Sequence, residues 1–311
     1  MPEDLFKGLI ELSRMPVKAR NVLSTIEQVR REAKRLVSIA IVGSENSGKT
    51  RLRDVLTSAS SGAKEIVFSL DWDSVAESER EAVRKADAVL VVLNPIADLE
   101  QQVVLAKEVM QVNSSHLLAV NMVNEISDIE IRVRPIESFL EDLAEKAMFV
   151  SISKNLNIED KLVARVFEIM HSKGKEIALA SRAPVFRNLA ASKVIHRASA
   201  QNGLIGVVTI LPGADMPLLT ANQLKMVLKI AAIYNEELSL TRLKELITVV
   251  GTGFAFRGLA RQLLDFVPGI GWVIKGAVAF TGTEALGKAA QKYFKEGYGG
   301  LKKENIKEIF S

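Results

Sequence analysis

Apolar residues in the first half of the chain come in short unbroken runs, and between the runs they recur every three or four positions. The runs are 37–42 (VSIAIV), 65–70 (EIVFSL), 87–93 (DAVLVVL), 115–121 (SHLLAVN) and 148–152 (MFVSI). Continuous runs of this length predict strands buried on both faces. The helical spacing predicts helices over 50–58, 74–86, 98–112, 135–146 and 158–172. Strand and helix in alternation predict an α/β fold, a mostly parallel sheet with helices on both sides. Ligands in such folds bind beyond the carboxyl ends of the strands. Those ends carry the loop after Val42, and then Asp71, Asn94, Asn121 and Ser151.

The pattern changes at about Gly174. No strand alternation follows, and the spacing predicts helices over 174–182, 184–210, 219–235, 241–265 and 271–296. Breaks fall at Pro184, Pro212–Gly213, Pro217 and Pro268–Gly269, where helix propagation is costly. This half reads as a separate all-α domain. At the other end, Val22, Ile26, Val29, Ala33 and Leu36 step by 4, 3, 4 and 3, a heptad-like seam. The expectation is a helix packed on the next domain in the chain, with a short coiled coil or a membrane-surface contact as the alternatives. The expected organisation is an N-terminal helical extension at 1–36, an α/β domain at 37–173 and a helical domain at 174–311.

The loop after the first strand carries the chemistry. Gly43, Ser44, Glu45, Asn46, Ser47, Gly48, Lys49 and Thr50 fit G-x-x-x-x-G-K-[ST], the P-loop. The two glycines let the backbone wrap phosphate closely and adopt φ > 0 without a Cβ clash. The N–H groups then lie at a helix N-terminus, where the dipole favours an anion. Lys49 can reach β- and γ-phosphates, and the Thr50 hydroxyl can ligate Mg²⁺. A relic loop that no longer binds anything remains the competing reading.

Composition narrows the rest. A length of 311 residues leaves room for two domains. The absence of cysteine excludes disulfides and cysteine-ligated zinc, and fits a reducing compartment. His116, His171 and His196 show no metal-ligand spacing and are expected to be structural or surface residues. A net charge of +4 is too slight to argue for nucleic acid, although a locally basic face would favour anionic lipid. The N-terminus has no apolar signal core. The expected location is cytoplasmic, with the inner face of the membrane as the alternative.

The spacing of these elements resembles the Era-like branch of the small GTPases. That resemblance implies Mg²⁺ with GTP or another purine nucleotide as the cofactor. It implies Asp71 as the metal residue of the D-x-x-G loop, here Asp71-Trp72-Asp73-Ser74 with serine in place of glycine. The base-recognition loop N-K-x-D reads Asn121-Met122-Val123-Asn124, and the S-A-K loop reads Ser151-Ile152-Ser153-Lys154. Asn121, Asn124, Ser151 and Lys154 are the implied base contacts. Asn124 offers one acceptor and one donor where guanine needs two acceptors, a mismatch worth ~1–3 kcal/mol. Guanine selectivity is therefore expected to be weak. The interval from Lys49 to Asp71 has room for little beyond one helix and one strand. The switch loop and extra strand of the family are expected to be missing, and hydrolysis without a partner to be slow or absent.

In the helical half, 211–226 (LPGADMPLLTANQLKM) and 266–287 (FVPGIGWVIKGAVAFTGTEALG), together with Tyr234-Asn235, resemble the YcjF-type helical domain of unknown function that follows Era-like GTPase domains in bacteria. Some members of that group are membrane-associated. Here Gly269, Gly271, Gly276, Gly282 and Gly287 would allow close helix approach. No stretch gives the ~20 uninterrupted apolar residues of a membrane span. A soluble bundle is expected, with peripheral or hairpin membrane contact as the alternative. Asp215 and Gln223 are expected to serve caps or bundle hydrogen bonds.

Two functions stay open. One is a nucleotide-binding protein with little intrinsic hydrolysis, whose helical domain meets a protein or membrane partner. The other is a pseudo-GTPase scaffold that binds no nucleotide. A nucleoside kinase is weaker, since no arginine-bearing lid is evident.

Overall fold

The computed structural model describes residues 19–57, 60–94, 99–121, 147–150, 158–208, 216–238 and 271–296. The helices expected over 135–146 and 241–265 lie outside these residues, as do Asn124, Ser151, Lys154 and Asp215. The chain divides into two units, Arg35–Leu189 and Met1–Lys34 with Ala190–Ser311. The N-terminal helix thus groups with the C-terminal half, and the boundary falls later than the pattern change at Gly174.

The first unit is built on β1 (Ile39–Gly43), β2 (Val67–Asp71), β3 (Ala88–Leu93), β4 (His116–Asn121) and β5 (Ala147–Val150). All are parallel, in the order β2-β1-β3-β4-β5. The register sets Ile39 beside Val67 on one side and beside Ala88 on the other. Helices α2 (Lys49–Thr57), α3 (Ser61–Ile66), α4 (Glu77–Lys85), α5 (Leu99–Val112), α6 (Ala164–Ser172) and α7 (Glu176–Arg182) follow the strands. A π-helical turn, Ile158–Val163, leads into α6. The N-terminal helix of the chain, α1 (Ala19–Ala33), belongs to the other unit.

Every residue of β1 and β3 is buried, which explains why their sequences do not alternate. Ala40, Val42, Val89, Val91 and Leu93 pack with Leu105, Ala106 and Val109 of α5 in one core, which Trp72 and Val83 complete. The intervening Ile39, Ile41 and Leu90 are equally buried, as strands covered on both faces require. Polar groups close the ends. Asn113 Nδ2 donates to Val83 O and Ala86 O, each at 2.9 Å, at the end of α4, where a helix runs out of backbone donors for its last carbonyls. At the amino ends of β1 and β3, Asp87 accepts from Ser38 N at 3.0 Å and from Lys175 Nζ at 2.6 Å.

Between Lys49 and Asp71 the described residues form α2, α3 and β2, with no further strand. Among the described residues the extra strand expected to be missing is absent. Two short helices fill that interval where the sequence suggested one.

The second unit contains α1, α8 (Arg187–Val208, which begins in the first unit), α9 (Met216–Ile233) and α10 (Gly271–Glu296). Ile26 and Val29 of α1 are buried, and Glu32 pairs with Lys229 of α9 at 2.9 Å. Helices α8 and α10 touch through glycine. A Cβ on Gly206 would lie 3.0 Å from Lys275 O, and one on Gly276 would lie 2.9 Å from Gly203 O. Beside that seam runs a polar chain centred on the buried Asn202 and Thr283. Asn222 Nδ2 donates to Asn202 Oδ1 at 2.7 Å, Asn202 Nδ2 to Thr283 Oγ1 at 2.8 Å, and Gln223 Nε2 to the same hydroxyl at 2.9 Å. Gln223 thus serves bundle hydrogen bonding. Among the described residues no helix is long and apolar enough to cross a membrane.

Candidate phosphate-binding site

Strand order reverses between β1 and β3, and the loop Gly43–Thr50 leaves β1 at that point. This is the topological crevice in which open α/β sheets bind ligands. The loop turns tightly. Asn46 has φ 60° and Gly48 has φ 95°, both in the left-handed region. Asparagine is among the few side chains that tolerate it, and glycine adopts it freely. The first glycine is required for a different reason. A Cβ on Gly43 would lie 2.5 Å from Ser47 Oγ and 2.7 Å from Val92 O. Ser47 N donates to Ser44 O at 3.3 Å, and Leu52 N to Gly48 O at 3.0 Å as α2 begins.

Lys49, with 7% of its side chain exposed, folds back over the loop. Its ammonium donates to Ser44 O at 2.8 Å and pairs with the carboxylate of Asp71. The register that pairs Gly43 with Asp71 brings the two together. Asn121 ends β4 and is buried. Its Nδ2 donates to Ser47 O at 3.0 Å, tying the fourth strand to the loop. Thr50, Glu45 and Asn46 are exposed. The hydroxyls of Ser44 and Ser47 are buried without a protein partner. An unmet buried polar group calls for an explanation, and here both lie in the loop whose sequence suits an anion. Among the described residues the chain thus assembles Gly43 to Thr50, Asp71 and Asn121. Thr50 and Asp71 remain the groups able to meet a metal ion, and no cluster of three or more metal-binding side chains is found among the described residues.

Two residues at this end of the sheet were not evident from sequence. Gln102 is buried in α5 and holds Asn94, just after β3, by two bonds. Its Oε1 accepts from Asn94 N at 2.6 Å and its Nε2 donates to Asn94 O at 2.7 Å. Trp72, next to Asp71, opens a 3₁₀ turn (Trp72–Ser74) and is 2% exposed. Its indole N–H donates to Glu108 Oε2 at 2.8 Å, and the Arg80 guanidinium lies 4.6 Å from the ring centre. A tryptophan after a strand-ending aspartate is the one local signal, since an indole at such a point has to find a partner.

Residues 175–311 match the family model for a domain of unknown function, DUF697. The match takes in the helices from α7 onward, including the Asn202–Asn222–Gln223–Thr283 chain. The DUF697 segment begins at Lys175, which also anchors Asp87 of the first unit. No curated protein matches the chain.

Proposed function

We propose that the unit Arg35–Leu189 binds the phosphates of a nucleotide with Mg²⁺, hydrolyses it slowly or not at all alone, and works with the DUF697 domain toward a protein or membrane partner. The observation that carries this reading is the loop itself. Its left-handed Asn46 and Gly48, its folded-back Lys49 and the start of α2 lie at the strand-order reversal, with Asp71 in reach. When bound, Mg²⁺ would neutralise phosphate charge, with Thr50 and Asp71 as the residues to hold it. The loop N–H groups and Lys49 orient the phosphates, and Asn121 keeps the loop fixed to β4. The Era-like resemblance supports GTP among the candidates.

Calorimetry on the full chain with Mg²⁺ and GTP or ATP tests the reading. Lys49→Ala is expected to lower affinity by roughly 10²-fold or more, the effect of losing a buried cation against phosphate. Equal heats for wild type and Lys49→Ala at millimolar nucleotide would overturn it.

The pseudo-GTPase scaffold remains the second reading, favoured by the buried Trp72. The turn after Asp71 is here pinned by a tryptophan side chain buried in the core, while Asp73 and Ser74 stay exposed. A thermal transition unmoved by any nucleotide would favour it.

A further inference from the structure

We propose that Asp71 is a side-chain gate on the phosphate cradle, admitting a polyphosphate complexed to a divalent cation and rejecting the same anion without its metal. The proposal rests on the phosphate-binding reading above and assigns its ligand class. Lys49 is almost wholly enclosed, and among the described residues its ammonium meets Ser44 O and the Asp71 carboxylate. A phosphate that takes Lys49 must displace that carboxylate. It must then share the site with it, and two like charges in contact are costly.

The backbone of Asp71 offers no escape. On one side it is the last ladder residue of β2, paired with Gly43. On the other it continues into Trp72, which is buried, hydrogen-bonded to Glu108 and covered by Arg80. Glu108 and Arg80 also approach each other at 4.0 Å. The carboxylate can therefore leave Lys49 only by rotating its side chain. Its 47% exposure leaves room for that rotation. A ligand that brings a divalent cation gives the rotated carboxylate a new partner while Lys49 turns to phosphate, so one ion pair is exchanged for two. A metal-free anion gives it none. This separates the chain from a loop switch, since the turn after Asp71 stays in place.

The test uses the full chain carrying Trp272→Phe, so that emission reports Trp72 alone. Inorganic tripolyphosphate is titrated with EDTA or with excess MgCl₂, into this protein and into its Asp71→Asn variant, by calorimetry and fluorescence. The parent is expected to bind the magnesium complex and to show little affinity for the metal-free anion. Asp71→Asn is expected to gain roughly tenfold or more for the metal-free anion, and its dependence on MgCl₂ to shrink. Trp72 emission is expected to stay constant throughout. Metal-free binding by the parent as tight as that of the complex overturns the gate while leaving the phosphate reading intact. So does an Asp71→Asn variant that unfolds like the parent and gains nothing. A large shift in Trp72 emission on binding overturns the fixed backbone. Failure of both proteins to bind in either buffer overturns the phosphate reading, and this proposal with it.

Discussion

Gly43 shows how little latitude single residues have at this site. Its missing Cβ is the space in which Ser47 Oγ and Val92 O lie. Val92 O is backbone of the central strand β3 and cannot turn away as a flexible side chain would. Gly43→Ala is expected to destabilise the unit by about 1–3 kcal/mol, read as a lower urea midpoint with unchanged slope. The pattern G-x-x-x-x-G-K-[ST] made Gly43 to Thr50 legible because the motif is local, and each position answers to a neighbour in sequence. Asn121 was legible as a residue at a strand end but not as a tether, because its acceptor, Ser47 O, lies 74 positions away. Gln102 gave no signal at all. A glutamine on a helix carries no mark of whether it meets solvent or, as here, the backbone N–H and C=O of Asn94.

At the level of elements, the strands followed their apolar runs to within one or two residues. Continuous burial on both faces leaves little choice of where a strand begins and ends. Helix α3 was not legible, since SGAKEI has only Ala63 and Ile66 as buried positions, too few to define a period. The 3₁₀ turn at Trp72 joins β2 to α4 and α5 through one indole. Trp72→Ala removes a fully packed ring and leaves Glu108 without its donor. It is expected to cost about 3–5 kcal/mol by urea unfolding. Trp72→Phe keeps most of the volume and is expected to cost less, and the gap between the two separates packing from the hydrogen bond. The seam of α8 and α10 was foreseen on one side only. Gly276 stood out among neighbouring glycines, whereas Gly203 and Gly206 became meaningful only opposite it.

For the molecule as a whole, the grouping of Met1–Lys34 with Ala190–Ser311 carries a direct expectation. Ile26 is buried in the helical unit, so Ile26→Ala should weaken that unit by about 2–5 kcal/mol and leave the sheet unit unchanged. Each unit holds one of the chain's two tryptophans, Trp72 in one and Trp272 in the other. Emission from single-tryptophan proteins should therefore show two separable transitions, with only that of Trp272 displaced. The seam read at Val22, Ile26 and Val29 supplied the helix and its apolar side. It could not supply the partner, α9, which lies nearly two hundred positions downstream.

The uniform direction of the strands reaches beyond binding, into how the chain is assembled. No two described strands can meet as a hairpin. Ile39 must find Ala88 before the central pair of the sheet exists, with α2, α3, β2 and α4 already spooled between them. The entropy of closing so large a loop is lost before any ladder contact compensates for it. Refolding from urea, followed by Trp72 emission in a Trp272→Phe chain, should therefore run in milliseconds to seconds rather than microseconds. During that interval nascent β1 and β3, apolar along their whole length, are the segments most exposed to misassociation.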